Sequence, residues 1–294
     1  MHLTDKQFAY LLILPSLTVV LGLMLYPLFY AAYLSLHQLI LTRPWLGTPF
    51  VGFQNYIILF KTPFFWQVIK QTFYFTAVSI LLELILALIF ALLMARGVKG
   101  ENIIRGVILL PWMLAPAVAA VIWTWLLNDV YGVINYILIK IGIIRKPLLW
   151  LGTPELALNV IVGVDVWQKT PFVFIILLAG LQIIPGELYE AGQIDGASKW
   201  QLFRYITIPY LRYFILVAFL LRLPIALRMF DIVYIMTGGG PGGSTDVLAT
   251  YTYYKTFGEM NIGMGSSLSI VTFLITFIIS IVCIKFLKPR EGMS

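Results

Sequence analysis

QTFYFTAVSILLELILALIFALLMA, Gln71 to Ala95, carries a single charged residue, Glu83, in an otherwise apolar run. A hydrocarbon layer about 30 Å thick takes about 20 helical residues to cross, so this stretch is long enough to span a membrane as a helix. No water is present there to satisfy peptide groups, which forces the segment to close its hydrogen bonds internally. Glu83 then lies about halfway across. A carboxylate at that depth costs about 2.5–3.5 kcal/mol on insertion scales and faces protein rather than lipid.

Runs of the same kind recur on both sides. No Asp, Glu, Lys or Arg occurs between Lys6 and Arg43, which gives a first span from about Phe8 to Leu36, tilted or bent near Gly22 and Pro27. It exceeds the roughly 7–15-residue apolar core of a cleaved signal peptide. Further spans are expected at Gly106 to Leu127, Leu156 to Leu181, Ile208 to Leu227 and Ser266 to Ile284. The alternation that a β-barrel needs is missing, so the fold class is all-α: a polytopic bundle of about six transmembrane helices. Composition agrees, with 61% apolar and 11% charged residues, against about 25% charged in soluble domains. The net charge of +7 is spread along an apolar chain and suits orientation in a bilayer rather than nucleic-acid binding. One cysteine, Cys283, and two histidines, His2 and His37, supply neither a disulfide, a metal cluster nor a Ser/His relay, so the chain is read as a non-enzyme.

Basic residues set the expected topology. The link RGVKGENIIR holds Arg96, Lys99 and Arg105, and the C-terminal tail holds Lys285, Lys288 and Arg290. Leu39 to Lys70 and Asn128 to Glu155 carry three basic residues each over longer stretches. Both termini are therefore expected in the cytoplasm, with the link between spans four and five also inside. The segment FVGFQNYIILFKTPFFWQVIK, Phe50 to Lys70, is too polar to cross and too apolar for a free loop, so it is expected along the outer interface.

The inward link GELYEAGQIDGASKWQLFRYITIPYL, Gly186 to Leu211, reads as two short helices about a turn. Pro185 and the acidic Glu187 and Glu190 suit a helix start, Asp195-Gly196 is a turn signal, and Pro209 opens the next crossing. The spacing Glu190-Ala191-Gly192, three residues, Gly196, nine residues, Ile206-Thr207-Ile208-Pro209 resembles the EAA loop of permease subunits of bacterial ABC importers. Gly192 stands where that pattern has alanine, and Ile208 where it has leucine. The fuller match, with VGFQNY at Val51 to Tyr56, LAGLQIIP at Leu178 to Pro185 and FDIVYIMTGGGP at Phe230 to Pro241, is similar to the carbohydrate-uptake branch and covers most of the chain.

The resemblance implies a type I ABC importer permease-like bundle in the cytoplasmic membrane. It implies residues 1–70 as an N-terminal helix plus outer interfacial segment, 71–287 as the permease domain with its coupling loop at 186–209, and 288–294 as a cytoplasmic tail. It further implies a second homologous permease in a heterodimer, two ATP-binding subunits that carry ATP and Mg, an external solute-binding protein and a carbohydrate substrate, with no cofactor in this chain. Glu190, Ala191, Gly192, Asp195, Gly196 and Ala197 would form the coupling element, small residues admitting a partner backbone and carboxylates accepting from basic groups.

Six polar residues in or beside the spans remain: Glu83, Asn128, Asp165, Gln168, Lys169 and Arg222. They line a passage and offer hydrogen bonds to sugar hydroxyls, or they lock helices together, for instance Glu83 or Asp165 with Arg222; Asp165 and Lys169 share a helical face and could pair with each other. GGGPGGST, Gly238 to Thr245, nearly fits a phosphate loop, but Ser244 replaces the lysine and Pro241 removes a donor, so it reads as an outer loop and ATP hydrolysis belongs to another chain. A secondary transporter would need no coupling loop and would show repeated halves, and none is evident. A channel would leave uptake insensitive to ATP depletion.

Overall fold

The computed structural model of the chain describes residues 5–95, 97 and 100–287. Arg96, Lys99, Lys288 and Arg290, on which the expected topology partly rests, lie outside the described residues. The helices, in chain order, are α1 Asp5–Ser35, α2 Gln54–Lys61, α3 Pro63–Met94, α4 Glu101–Met113, α5 Pro116–Leu126, α6 Val133–Lys140, α7 Pro154–Gln182, α8 Gly186–Ile194, α9 Lys199–Leu202, α10 Ile208–Leu227, α11 Asp231–Met236, α12 Leu248–Tyr253 and α13 Ile262–Leu287. No β-strand occurs among the described residues, only two isolated bridges. Among the described residues, five helical runs are long and apolar enough to cross a membrane, and α4 with α5 makes a sixth if the bent pair is one span.

That sixth span departs from the sequence expectation. Gly106 to Leu127 is not one straight helix: α4 and α5 meet at 96°. Pro116 disfavours the helical region for Ala115, which sits at φ −59°, ψ 139°, and Leu114 before it is extended too. Pro111, inside α4, removes a further donor just before the break. Two other boundaries move. The second span does not begin at Gln71: within Phe50 to Lys70, α2 covers the middle, and Pro63, at the first position of a helix where its missing N–H is harmless, already opens α3. The fifth span does not begin afresh at Pro209, since helix runs unbroken from Lys199 to Leu227.

The chain divides into two compact units. One comprises Met1–Trp66 and Thr252–Leu274. Here Asn55 of VGFQNY is the tie: its amide donates to Ser35 O at 2.8 Å and His37 O at 3.0 Å, and the Ser267 hydroxyl reaches the same Ser35 carbonyl at 3.1 Å. These carbonyls lie at and just beyond the end of α1, where intrahelical partners run out. Gly52, at φ +55°, makes the turn that brings Asn55 into place.

The other unit comprises Gln67–Tyr251 and Ile275–Ser294. Its axis is α7, packed against α4, α5, α10 and α11. Buried apolar side chains form one cluster around Ile161, Val164 and Ile232 and a second around Phe174, Leu177 and Leu211. Gly180 sets how close α7 and α10 come: a Cβ there would lie 2.6 Å from ring atoms of Phe214 and 2.9 Å from Leu211 Cδ2. Between α3, α4 and α7 an apolar cavity of about 320 Å3 is lined by Leu86, Phe90, Ile108, Gly163 and Trp167.

Candidate functional site

The segment between α7 and α10 is a rigid two-helix piece whose shape follows from its residues. α8 ends at Ile194, and Gly196, two residues on, is in the left-handed region at φ +78°. Gly196 N–H donates to Gln193 O at 3.0 Å and Ala197 N–H to Gly192 O at 2.8 Å, the paired bonds of a glycine C-cap that satisfy the last carbonyls of the helix. An L side chain at Gly196 would be strained in this conformation, although open space surrounds it. Ser198 then starts α9 with a reciprocal cap: its N–H donates to Gln201 Oε1 at 2.7 Å and its hydroxyl accepts from Gln201 N–H at 3.3 Å.

Gly192 is one of the two departures from the EAA pattern, and the packing gives the reason. A Cβ at Gly192 would stand 2.6 Å from Leu202 Cδ2, so α8 lies directly on the following helix. Tyr189 and Thr207 join their hydroxyls at 2.9 Å across the same contact. Gly192 is half-buried with its Cβ direction toward Leu202, and Ala197 is half-buried beside it. Glu190, Ala191, Asp195 and Gly196 are exposed. So is Ile194, at 86%, a residue that sequence reasoning passed over. The signal was available: Ile194 is four residues after Glu190, on the same helical face, and has no apolar neighbour in sequence to bury it.

Pro209 stays inside a helix because the backbone loosens before it. Phe203–Thr207 forms a π-helical turn, and Ile208 N–H reaches back to Phe203 O. The wider turn absorbs the clash that a proline ring makes with the carbonyl four residues earlier.

Deep in the second unit Arg222 of α10 draws two carboxylates to itself. Its Nε donates to Glu83 Oε2 at 2.6 Å, Nη2 to Glu83 Oε1 at 2.6 Å and to Asp165 Oδ2 at 3.0 Å. All three residues are at most 1% exposed. The guanidinium thus ties α3, α7 and α10 together, bidentate on one side. Among the described residues, Arg222 Nη1 and Asp165 Oδ1 make no hydrogen bond. Lys169, one turn beyond Asp165, is half-buried, and among the described residues it forms no ion pair within 4.0 Å; of the two pairings open to Asp165, the structure has the one with the arginine, whose planar fork reaches both acids at once.

The remaining two candidates take local posts. Gln168, fully buried, donates its amide to Leu114 O at 2.9 Å and so holds the α4–α5 break from α7. Asn128 accepts from Val130 and Tyr131 N–H at 2.9 and 3.2 Å, closing the turn after α5. Asn135, which the sequence did not single out, is 3% exposed and bonds to Leu148 N–H and O and to Trp150 Nε1, fixing the stretch before α7.

The glycine-rich loop after α11 is cross-tied rather than open as a phosphate cradle. Gln71 donates to the carbonyls of Gly243 and Ser244, and the Thr245 hydroxyl to Gly240 O at 2.7 Å. Asp246 packs against Gly239 and accepts from the Thr250 hydroxyl at 2.9 Å. Burial pushes the Asp246 carboxyl above its ordinary range, and the threonine bond pulls the other way.

Known proteins place this architecture. The chain is 42% identical over 288 residues, 98% of its length and 96% of the relative's, to the trehalose/maltose transport system permease protein MalF of Thermococcus litoralis. It is 34% identical to the sulfoquinovosyl glycerol transport system permease protein SmoG of Agrobacterium fabrum, covering 99% of this chain and 94% of that one. The fold matches a chain in the crystal structure of a bacterial ABC transporter involved in import of the acidic polysaccharide alginate, with a TM-score of 0.80 at 23% identity over 97% of this chain and 96% of that one. Residues 83–290 match the family described as binding-protein-dependent transport system inner membrane component, and the chain, with its apolar helices, its broken fourth-and-fifth-helix pair and its capped loop before α10, is a member of that family of multi-pass transport permeases.

Proposed function

We propose that this permease carries a sugar or related polyhydroxy solute, together with a second homologous permease, and is driven by two separate ATP-binding subunits. The observation that carries the coupling part is the exposed face of α8. Ile194, apolar and almost fully exposed, is flanked by the Glu190 and Asp195 carboxylates on a helix capped at its C-terminal end and packed on the next through Gly192. An apolar anchor with acceptors around it suits a groove with basic edges on a cytoplasmic ATPase. ATP and Mg would sit on that partner.

The carbohydrate class is supported by the relatives named for trehalose/maltose and for sulfoquinovosyl glycerol. An external solute-binding protein is supported by the family description and by the alginate transporter, whose structure includes a complex with a periplasmic protein bound to an alginate pentasaccharide. The long apolar α1, exposed along most of its length, suits lipid or a second permease, and a heterodimer is the arrangement we favour. Lys199 and Arg204 at the start of the α9–α10 run fit a cytoplasmic placement of the loop, and with it of both termini. Closure of the ATPases would draw the two coupling loops together and rock the bundles between outward and inward openings.

Glu190→Lys tests the coupling. In proteoliposomes holding the complete transporter, the variant is expected to assemble and to lose solute uptake linked to ATP hydrolysis. Full binding-protein-stimulated uptake would overturn the reading.

A further inference from the structure

The helical run Lys199–Leu227 begins in the proposed ATPase contact and continues past Arg222. Leu202 and Arg222 are separated by about 30 Å of continuous helix at 1.5 Å per residue. The near end is packed on α8, because Leu202 fills the space that Gly192 leaves and Tyr189 bonds to Thr207. The far end is held by the Arg222 guanidinium, through two bonds to Glu83 on α3 and one to Asp165 on α7. We propose that Arg222 is the positioning residue through which displacement of the coupling loop is passed to α3 and α7. The inference rests on the coupling-loop reading above.

Stability alone does not account for such a joint. Buried ion pairs lose so much hydration that well-packed apolar replacements are often neutral or stabilising. What charges add is direction. Apolar helix faces slide past each other by small shears, whereas a bidentate fork fixes both the rotation and the axial register of one helix on another. An axial push or twist on α10 therefore cannot be absorbed by slip at Arg222, and α3 and α7 must follow.

The experiment uses the complete transporter in proteoliposomes and reads solute moved per ATP hydrolysed. The triple variant Glu83→Leu/Asp165→Leu/Arg222→Met is expected to assemble and to retain stimulated ATP hydrolysis, with solute per ATP falling about fivefold or more, the low end of typical coupling between sites. Arg222→Lys keeps the charge and loses the fork, and is expected to lower the same ratio; it decides the matter if the triple variant does not assemble. A wild-type ratio in the deciding variant, including one where both rates fall together as they would for a merely structural role, would overturn the proposal. Glu190→Lys run alongside separates the outcomes. If it uncouples and the Arg222 variants do not, only the joint fails; if it transports normally, the coupling-loop reading itself fails.

Discussion

Two glycines on α7 offer a controlled measurement of how tightly this bundle is packed. Gly163 and Gly180 both lie inside the helix Pro154–Gln182, so changing either to alanine brings the same gain of about 0.5–1 kcal/mol from reduced backbone freedom. Their surroundings differ. A Cβ at Gly163 meets nothing within 4 Å, consistent with the cavity it lines, whereas at Gly180 it would lie 2.6 Å from the Phe214 ring and 2.9 Å from Leu211. Carbon atoms rest at about 3.5–4.0 Å, so α10 or its side chains must give by about 1 Å. Phe214 is half-buried and can turn in part, but Leu211 is fully buried and has nowhere to go. Overpacking of this kind costs about 1–3 kcal/mol. Subtracting one variant from the other cancels the common gain and leaves Gly180→Ala less stable than Gly163→Ala by about 1–3 kcal/mol. At about 2–4 °C per kcal/mol, the scale for soluble domains of comparable size, the melting midpoints of the purified transporter should differ by roughly 2–12 °C. Size-exclusion of detergent samples heated in steps measures this. Equal midpoints, or Gly163→Ala melting first, would refute the packing argument.

Other expectations follow from single contacts. Gln168→Met leaves Leu114 O without its partner at the α4–α5 break, and should lower stability by about 1–3 kcal/mol, read as a drop in melting midpoint. Asn135→Ala removes bonds to Leu148 and Trp150 at once, so limited proteolysis should cut the stretch between α6 and α7 faster than in the wild type. Asp246 has a raised folded-state pKa, so its contribution is fully present below the ordinary aspartate value and is lost as pH rises through the raised one. The stability of wild type minus that of Asp246→Asn should therefore increase as pH falls from neutral toward about 4. A difference flat across that range would contradict the burial argument.

The span at Ser266 to Ile284 was legible because an uninterrupted apolar run leaves one solution in a bilayer, and that at Leu156 to Leu181 because apolar residues dominate it despite Asp165 and Lys169. The α4–α5 break was written in Pro111 and Pro116, but hydropathy averages over both, and only the backbone limits of the residue before proline locate the bend. Pro209 misled in the opposite sense. It reads as a boundary, and the π-helical turn before it, which no side-chain pattern announces, lets the helix run on. Among the polar candidates the sequence could name Glu83, Asp165 and Arg222 but not choose between Arg222 and Lys169 as partner. That choice depends on which side chain is wholly enclosed, a property of three helices together. Ile194 could be placed on the Glu190 face from its spacing alone, but that this face is the exposed one depends on which side of α8 lies on Leu202 and Ile206.

The caps around Gly196 and Ser198 have a consequence for assembly. A docking segment that is floppy when free must lose conformational freedom on binding, at about 0.5–1.5 kcal/mol for each mobile side chain and more where backbone is ordered. Here the ordering is complete when the permease folds, because the glycine cap, the reciprocal Ser198–Gln201 bonds and the Gly192 contact already hold α8 in shape. In the ATPase docking proposed above, an arriving subunit would meet a finished surface. The affinity between the two chains would then be controlled partly by residues that never touch the partner.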